Sequence, residues 1–340
     1  MRALLAATAL CAIALAQPAG ANAPTCDRAC LEKTLDAYLA AMVAHDPSAA
    51  PFARDARFTE NTAPIALTDG LWATATGMED YRITAADPDG GQIAYVGVAK
   101  EHDRPVLLSL RLRVMGGRIT EAESVVARDV IHFRNLRQAR AGWAADLPAG
   151  DTTTPTDMRA GVAGYFDGIE QSDSSLVRFD PACQRLENGL QTTDNPNLLR
   201  EMMEREGGPS APSPLPKPPA PSPVEEKPEG ASGGGMLSLG CAAQFDTGAF
   251  QFISDIAPRR GLVIDKEKGI AFGLFRFNHR GLHTSYRLAD GSEMADPFGG
   301  QPWSMQMAEF FKFRDGRIWL VEAIGTPLPF GAPTGWENDE

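Results

Sequence analysis

The sequence predicts an α+β protein made of two copies of one unit, each with helices on one face of a curved antiparallel sheet. Three observations carry this reading. Residues 31–61 match residues 158–188 without a gap at a constant offset of 127. The matched stretch opens on a helical apolar stripe, Leu31, Leu35, Tyr38, Leu39 and Met42 in one copy and Met158, Val162, Tyr165, Phe166 and Ile169 in the other. Both copies close on alternating strands about a Gly-Gly or Asp-Gly turn, the residues that accept positive φ in a two-residue β-hairpin.

Taken in order, each unit starts at a helix with Thr25 or Thr156 as its expected N-cap, followed within two residues by an acidic side chain that suits a helix N-terminus. After the helix, Asp46, Ser48, Phe52, Glu60 and Asn61 are matched by Asp173, Ser175, Phe179, Glu187 and Asn188, so a first strand ends in Glu-Asn twice. Asp87 to Ala94 then matches Asp265 to Phe272 at an offset of 178, and Gly117, Arg118, Ile119 and Glu123 match Gly316, Arg317, Ile318 and Glu322 at 199. The growing offset locates two insertions in the second copy. Most of the first is residues 207–235, rich in Pro, Ser, Gly and Glu, which cannot bury a core and is expected as a disordered or polyproline loop. The second, around residues 281–302, carries aromatics and is expected to fold over a pocket mouth. The expected boundaries are a signal peptide at 1–23, a first domain at 24–137, a linker at 138–155, a second domain at 156–330 and a tail at 331–340.

With 44 Asp+Glu against 32 Lys+Arg, the net charge of -12 argues against nucleic acid or an anionic membrane surface as a partner. Arg2, the apolar run Ala3 to Ala16 and the small residues Ala19, Ala21 and Ala23 predict a signal peptide too short to span a bilayer. Cleavage after Ala21 is preferred to Ala23, which would leave Pro24 first. The chain is therefore expected in a periplasm or outside the cell, with no membrane contact after cleavage. Cys11 would leave with the signal, and Cys26, Cys30, Cys183 and Cys241 would remain in an oxidising compartment. Of three formal pairings, Cys26 with Cys30 and Cys183 with Cys241 is favoured because each bond then lies inside one copy. Positions i and i+4 of a regular helix stand too far apart for a disulfide, so the first of these requires a distorted helical turn. A zinc site lacks a second closely spaced ligand pair.

The helix segment Asp36-Ala37-Tyr38-Leu39 (or Gly164-Tyr165-Phe166-Asp167), the strands Phe-Thr-Glu-Asn at 58–61 and Arg-Leu-Glu-Asn-Gly at 185–189, and the closing Gly-Arg-Ile hairpins carry a resemblance. On these residues the chain resembles the nuclear transport factor 2-like superfamily, which includes polyketide cyclases, ketosteroid isomerase and scytalone dehydratase, over roughly residues 26–136 and 156–330. More narrowly it looks like an exported two-copy family within that superfamily. The resemblance implies two tandem cone-shaped α+β barrels, a small-molecule ligand, and pairing of the two domains with each other or of two chains as a homodimer.

Strand alternation selects the candidate chemistry. Phe58 and Glu60 share a face, as do Arg185 and Glu187; Glu322 alternates with Ile318, Leu320 and Ile324, and Glu123 with Ile119 and Val125. Carboxylates on an apolar face lose hydration, their pKa rises, and they become general acids or bases near neutral pH. The architectural alternative is that Glu60-Asn61 and Glu187-Asn188 satisfy backbone groups at a strand end, with Arg185 in a structural ion pair. Asymmetry favours the second copy, where Arg185, Gln191, Thr192 and Thr193 add polar groups. The expected catalytic set is Glu187, Asn188, Arg185 and His279, with Tyr165, Gln191, Arg276, Trp303, Glu322, Glu60 and Asn61 as ligand-binding residues. His45, His102, His132, His279 and His283 form no compact metal motif, and His279 is placed just after a strand at Phe272 to Phe277. Arg259-Arg260 reads as solvated charge. With no G-x-S-x-G elbow, P-loop or G-x-G-x-x-G, neither a serine nucleophile nor a nucleotide cofactor is implied, and no cofactor is expected. The expected function is a cofactor-independent lyase, isomerase or dehydratase acting on a small, largely apolar molecule; the alternative is a non-catalytic binding or scaffold protein.

Overall fold

The computed structural model describes residues 26–128, 133–196 and 235–337. The expected signal peptide, Thr25, His132, nearly all of the 207–235 insertion and the last three residues lie outside these. In the first unit, α1 (Arg28–Val43) precedes β1 (Phe52–Glu60), β2 (Ala63–Pro64), the short α2 (Leu71–Thr74), β3 (Ala75–Asp87), β4 (Gln92–Glu101), β5 (Arg104–Met115) and β6 (Arg118–Ala127). The second unit repeats this with α3 (Pro155–Gln171), β7 (Phe179–Glu187), β8 (Leu190–Gln191), α4 (Cys241–Phe245), β9 (Asp255–Asp265) and β10 (Ile270–His279). A hairpin of β11 (Ser285–Arg287) and β12 (Glu293–Ala295) is inserted before β13 (Trp303–Arg314) and β14 (Arg317–Leu328). Each unit builds one six-stranded sheet, ordered β2-β1-β6-β5-β4-β3 and β8-β7-β14-β13-β10-β9. Both sheets are open and mixed rather than closed antiparallel barrels, because β1 runs parallel to β6 and β7 parallel to β14.

The two long helices start where side chains can cap them. Asp27 accepts the Cys30 N–H at 2.9 Å, and Thr154 forms a reciprocal capping box with Asp157. Thr154 therefore takes the role expected of Thr156, which lies inside α3. The favoured disulfides are both present. Cys26 precedes the cap residue and so stands outside the helix, which brings its Cα to 5.2 Å from that of Cys30 without distorting a helical turn. Downstream, Asp46 and Asp173 each accept the N–H of the serine two residues on, at 3.0 and 2.9 Å, so one turn chemistry is used in both copies.

Each six-stranded sheet has two buried faces. The helix-covered face of the first packs α1 residues Leu31, Leu35, Tyr38 and Met42 against Phe58, Leu110, Leu112 and Ala122. That of the second packs α3 residues Met158, Val162, Tyr165, Phe166 and Ile169 against Phe275, Phe311, Val321 and Ala323. The back faces pack on each other: Tyr81, Ile83, Val96, Val98, Leu107 and Val125 meet Val263, Phe272, Leu274, Phe310, Leu320 and Ile324, with Trp143 of the linker sealed between them. Intramolecular pairing of the units is thus a hydrophobic core in its own right.

Two sequence expectations fail at this seam. Glu322 and Glu123 lie on the back faces, not with the helix-covered residues. In each unit a β-bulge follows the isoleucine that set the phase, at Ile318/Leu320 and Arg113/Val114, so alternation inverts after Ile318 and Ile119. Arg260 is likewise not a solvated charge, since it donates to Glu123 across the seam at 2.7 Å. Arg259 is anchored to Asp167 at 2.6 Å and Glu170 at 2.9 Å.

Candidate functional site

Strand β7 carries Arg185 and Glu187 to the helix-covered face of the second sheet. Val321 of β14 pairs with Arg185 and Ala323 with Glu187, and Glu309 of β13 pairs with Ala323. Glu187, Ala323 and Glu309 form one row across three strands, with the carboxylates two strand spacings, about 10 Å, apart at the backbone. The Arg185 side chain is 4% exposed. It donates to Glu187 Oε1 and, at 3.2 Å, to Gln244 Oε1, and its guanidinium lies over Phe250 and Phe245. Thr192 Oγ1 donates to the same Glu187 oxygen at 3.2 Å. Among the described residues Glu187 Oε2 takes no hydrogen bond, and the side chain is 40% exposed.

Glu309 sits behind this pair, 2% exposed. Burial pushes its carboxyl up to about 8; the Glu187 charge adds to the rise and Arg185 opposes it. Tyr165 from α3 closes the cluster, its ring against Phe311, Phe245 and Phe179. Burial also raises the Tyr165 phenol, against the pull of Arg185. The cluster is held by covalent and polar links. The disulfide Cys183–Cys241 ties β7 to α4 two residues before Arg185, and Gln244 of α4 spends its amide N–H groups on the carbonyls of Thr192, Met236 and Leu239.

The twin unit lacks the two buried charges of this cluster. At the repeat offsets, Arg185 corresponds to Phe58 and Glu309 to Leu110, and both are buried core residues. Glu60, the counterpart of Glu187, uses one oxygen to accept the Leu71 N–H at 2.7 Å and the other to accept from Arg128 at 3.0 Å, so it ties the start of α2 to the end of β1. Taking an arginine and a glutamate out of water costs several kcal/mol per ion before pairing returns any of it. The same fold closes over apolar residues one copy earlier, so the architecture does not require these charges.

The remaining expected residues separate. Asn61 and Asn188 have φ of 48° and 47°, and each brackets a backbone unit: Asn61 pairs both ways with Val126, Asn188 with Gly325. They are strand-end clamps, and Asn188 does not orient Glu187. Gln191 donates to the Thr193 carbonyl at 2.9 Å, near the cluster's edge. Arg276 points to the back face and donates to the Ala332 carbonyl. Glu322, fully buried with its carboxyl raised by that burial, accepts from Arg140 at 3.2 Å and from the Tyr81 hydroxyl of the first unit. His279 lies inside β10 opposite Trp303, six residues from the Gly273–Glu309 pair and hence about 20 Å along the strand from it. The β11–β12 insertion covers His279 there: Asp296 Oδ2 stands 3.2 Å from its Nε2, and Phe298 and Trp303 flank the ring. His283 is exposed and does not join it. Glu309 and Gln244 were missed by sequence reasoning. Glu309 had a usable signal, a single charge between Met305 and Phe311 in phase with Met307 and Phe311.

Two open grooves, of about 250 and 230 Å³, run along the seam between the units, and neither is lined by Arg185, Glu187 or Glu309. Among the described residues no group of three or more His, Cys, Asp or Glu is placed to hold a metal ion. No described helix is long and apolar enough to cross a membrane.

The family described as "Domain of unknown function (DUF8021)" matches residues 25–126 and 151–325, which are the two repeated units with the linker left out. The chain belongs to this family. The DUF8021 match includes Arg185, Glu187, Gln244 and Glu309 within its second segment. No curated protein matches the chain. Among solved structures, the chain is similar to wild-type IdmH from Streptomyces antibioticus, provisionally assigned as a polyketide cyclase. That match has 17% identity and a TM-score of 0.26, and covers 51% of this chain and 92% of the other.

Proposed function

We propose that this DUF8021 protein is an exported, cofactor-independent acid–base enzyme of the nuclear transport factor 2-like superfamily, acting on a small, largely apolar molecule from the second unit. The observation that carries the reading is the Arg185–Glu187–Glu309 cluster, whose Arg185 and Glu309 are buried where the twin unit holds Phe58 and Leu110. Perturbed, desolvated charges that a fold does not need mark functional sites. Glu187 reaches solvent with one oxygen unengaged and serves as the base that takes a proton from substrate carbon. Glu309 behind it, protonated at neutral pH, is the proton reserve, and Arg185 stabilises the negative charge that develops. Returning the proton to a second carbon completes an isomerisation; giving it to a departing hydroxyl releases water in a dehydration. Neither route needs an oxidant or a cofactor. Superfamily membership is supported by the helix-on-sheet unit, its repetition and the back-to-back pairing of sheets. Export is supported by two disulfides, which persist in oxidising compartments.

A binding protein without turnover is the second reading, favoured by one observation: the open grooves lie on the seam rather than at Glu309. Mass-spectrometric profiling of small-molecule extracts incubated with the protein separates the two. Consumption of a compound by wild type and Glu60→Gln, lost in Glu187→Gln and Glu309→Gln with folding unchanged, supports the enzyme. Retention without conversion by all four proteins supports the binding module.

A further inference from the structure

The helix-covered face of the second sheet continues past Glu309. Trp303, Met305, Met307 and Glu309 share one phase of β13, and Phe275, Phe277 and His279 the matching phase of β10, with an unbroken register between the two strands. Phe277 and its partner Met305 are only half-buried, as are Phe250 and Phe252 of the turn after α4. These side chains form an apolar strip that starts at Arg185, whose guanidinium lies 5.5 Å from the Phe250 ring, and ends at Phe252, 5.6 Å from Phe298 of the insertion. Beyond the strip the strand ends are buried again. His279 is 2% and Trp303 7% exposed, because residues 281–302 lie over them and set Phe298 against both rings.

This cover is weakly held. Within residues 281–302 only Tyr286 and Asp296 are buried. Among the described residues two hydrogen bonds tie the segment to the rest of the unit, the Ala289 N–H to the Thr247 carbonyl and Gln251 Nε2 to the Arg287 carbonyl, both at 3.0 Å. The inner contact is imperfect: Asp296 Oδ2 stands 3.2 Å from His279 Nε2 without a completed hydrogen bond, and Trp303 Nε1 is also buried without a partner. Three polar atoms held in this way cost on the order of 1–3 kcal/mol each. Against them stands the Phe298 ring, 4.5 Å from Trp303 and 5.7 Å from His279. Its burial is worth about 1.5–3 kcal/mol at most, and each aromatic pair about 0.5–1.5 kcal/mol. The opposing sums are of one size, so closure has little net free energy behind it. Both ends can turn: Gly281 has a φ of 65°, Gly299 and Gly300 have φ of 63° and 73°, and the legs meet where a Cβ on Gly281 would strike the Gly300 carbonyl.

We propose that residues 281–302 are a hinged flap, swinging about Gly281 and Gly299–Gly300, whose opening admits an apolar ligand to the helix-covered face of the second unit. The role of gate to Glu187 rests on the functional reading above; the opening itself does not. Both bonds that hold the flap end on the turn that carries Phe250 against Arg185, so flap and charged cluster share one segment.

The test reads His279 in the intact protein. Its ring is sealed when the flap is closed and meets diethyl pyrocarbonate, which acylates accessible imidazoles, when the flap is open; His283 and His102 are exposed and serve as references. Mapped by mass spectrometry, His279 should label at least tenfold more slowly than His283, yet at times when the Phe310 and Phe311 amides are still protected from hydrogen exchange. Bridging Gln251→Cys/Arg287→Cys, two exposed positions, with a short bismaleimide should slow His279 labelling at least tenfold and leave His102 unchanged, whereas Phe298→Ala should speed it. Nile red, a neutral apolar probe, should enter the bridged protein more slowly by a similar factor. Labelling of His279 that only accompanies exchange at Phe310 and Phe311, or that the bridge leaves unchanged, overturns the flap; Nile red entry at an unchanged rate overturns the gate. A protein that opens and admits the probe but converts no compound fails the enzyme reading alone.

Discussion

Asp265 of the second unit accepts the backbone N–H of Ala86 in the first at 3.0 Å, and the repeat returns the bond, since Ile264 donates to Asp87 at 3.3 Å. The offset of 178 relates both donors and both acceptors, so the edge strands β3 and β9 meet about a pseudo-twofold axis. The two ends differ in one respect. Asp265 is also clasped by both terminal nitrogens of Arg28, at 3.0 and 2.6 Å, where the matched position in α3 is Pro155.

That difference sets the first prediction. Asp265→Ala leaves the Ala86 and Lys268 N–H groups without their acceptor and takes from Arg28 its one buried carboxylate, leaving it only the exposed Glu267 and Glu32, and should cost about 3 kcal/mol. Asp87→Ala removes bonds to two backbone N–H groups and should cost about 1–2 kcal/mol. Urea unfolding of both variants gives the order; equal losses would refute the asymmetry.

Glu309 makes stability depend on pH. An unfolded glutamate titrates near 4.5, whereas Glu309 in the folded chain titrates near 8. Between those values the native state keeps a proton that the unfolded state has released, so stability falls as pH rises from about 4.5 to about 8 and levels off above. Glu309→Gln should flatten this part of the curve and be the more stable protein at pH 9. Urea midpoints at pH 5, 7 and 9 check it.

The Cys183–Cys241 bond closes a separation of 58 residues. Chain entropy alone assigns it about 4 kcal/mol. The Cys183→Ser/Cys241→Ser pair should lower the melting temperature and free Gln244 from Arg185, which hydrogen exchange at the Arg185 amide, bonded to Thr193 Oγ1 at 3.0 Å, would register.

Asn188 offers a test of architecture against chemistry. Asn188→Ala loses both bonds to Gly325 and puts alanine, which lacks the local side-chain bonding that lets asparagine adopt the left-handed region, at a φ of 47°, so about 2–3 kcal/mol should be lost. Asn61→Ala should match it, because Val126 is held in the same way. Loss of turnover in Asn188→Ala without loss of stability would return Asn188 to the reaction.

The parts of this molecule that a sequence displays are those with a period. The apolar stripes of α1 and α3, the Glu-Asn strand ends and the Gly-Arg-Ile hairpins placed the duplicated units, and the even cysteine count within each copy placed the disulfides. A single inserted residue defeats such counting. The bulge after Ile318 turned Glu322 from the expected interior to the seam with Tyr81 and Arg140, and Glu123 followed for the same reason. Parallel pairing of β1 with β6 was equally invisible, since alternation does not encode strand direction. Of the site, Arg185 and Glu187 stood out because Phe58 occupies the matched position. Glu309 did not, since its row is fixed by cross-strand register rather than by neighbours in sequence.

Sheets that bury each other's backs leave their other sides free to diverge without disturbing the seam. Glu123 and Glu322, and Asp87 and Asp265, are kept alike because each copy must fit its twin, while Phe58 became distinct from Arg185 and Leu110 from Glu309 on surfaces the twin never touches. Covalent fusion fixes the ratio of the copies at one to one, so one half can specialise as a rigid partner while the other accumulates charge, a division of labour closed to a dimer of identical chains.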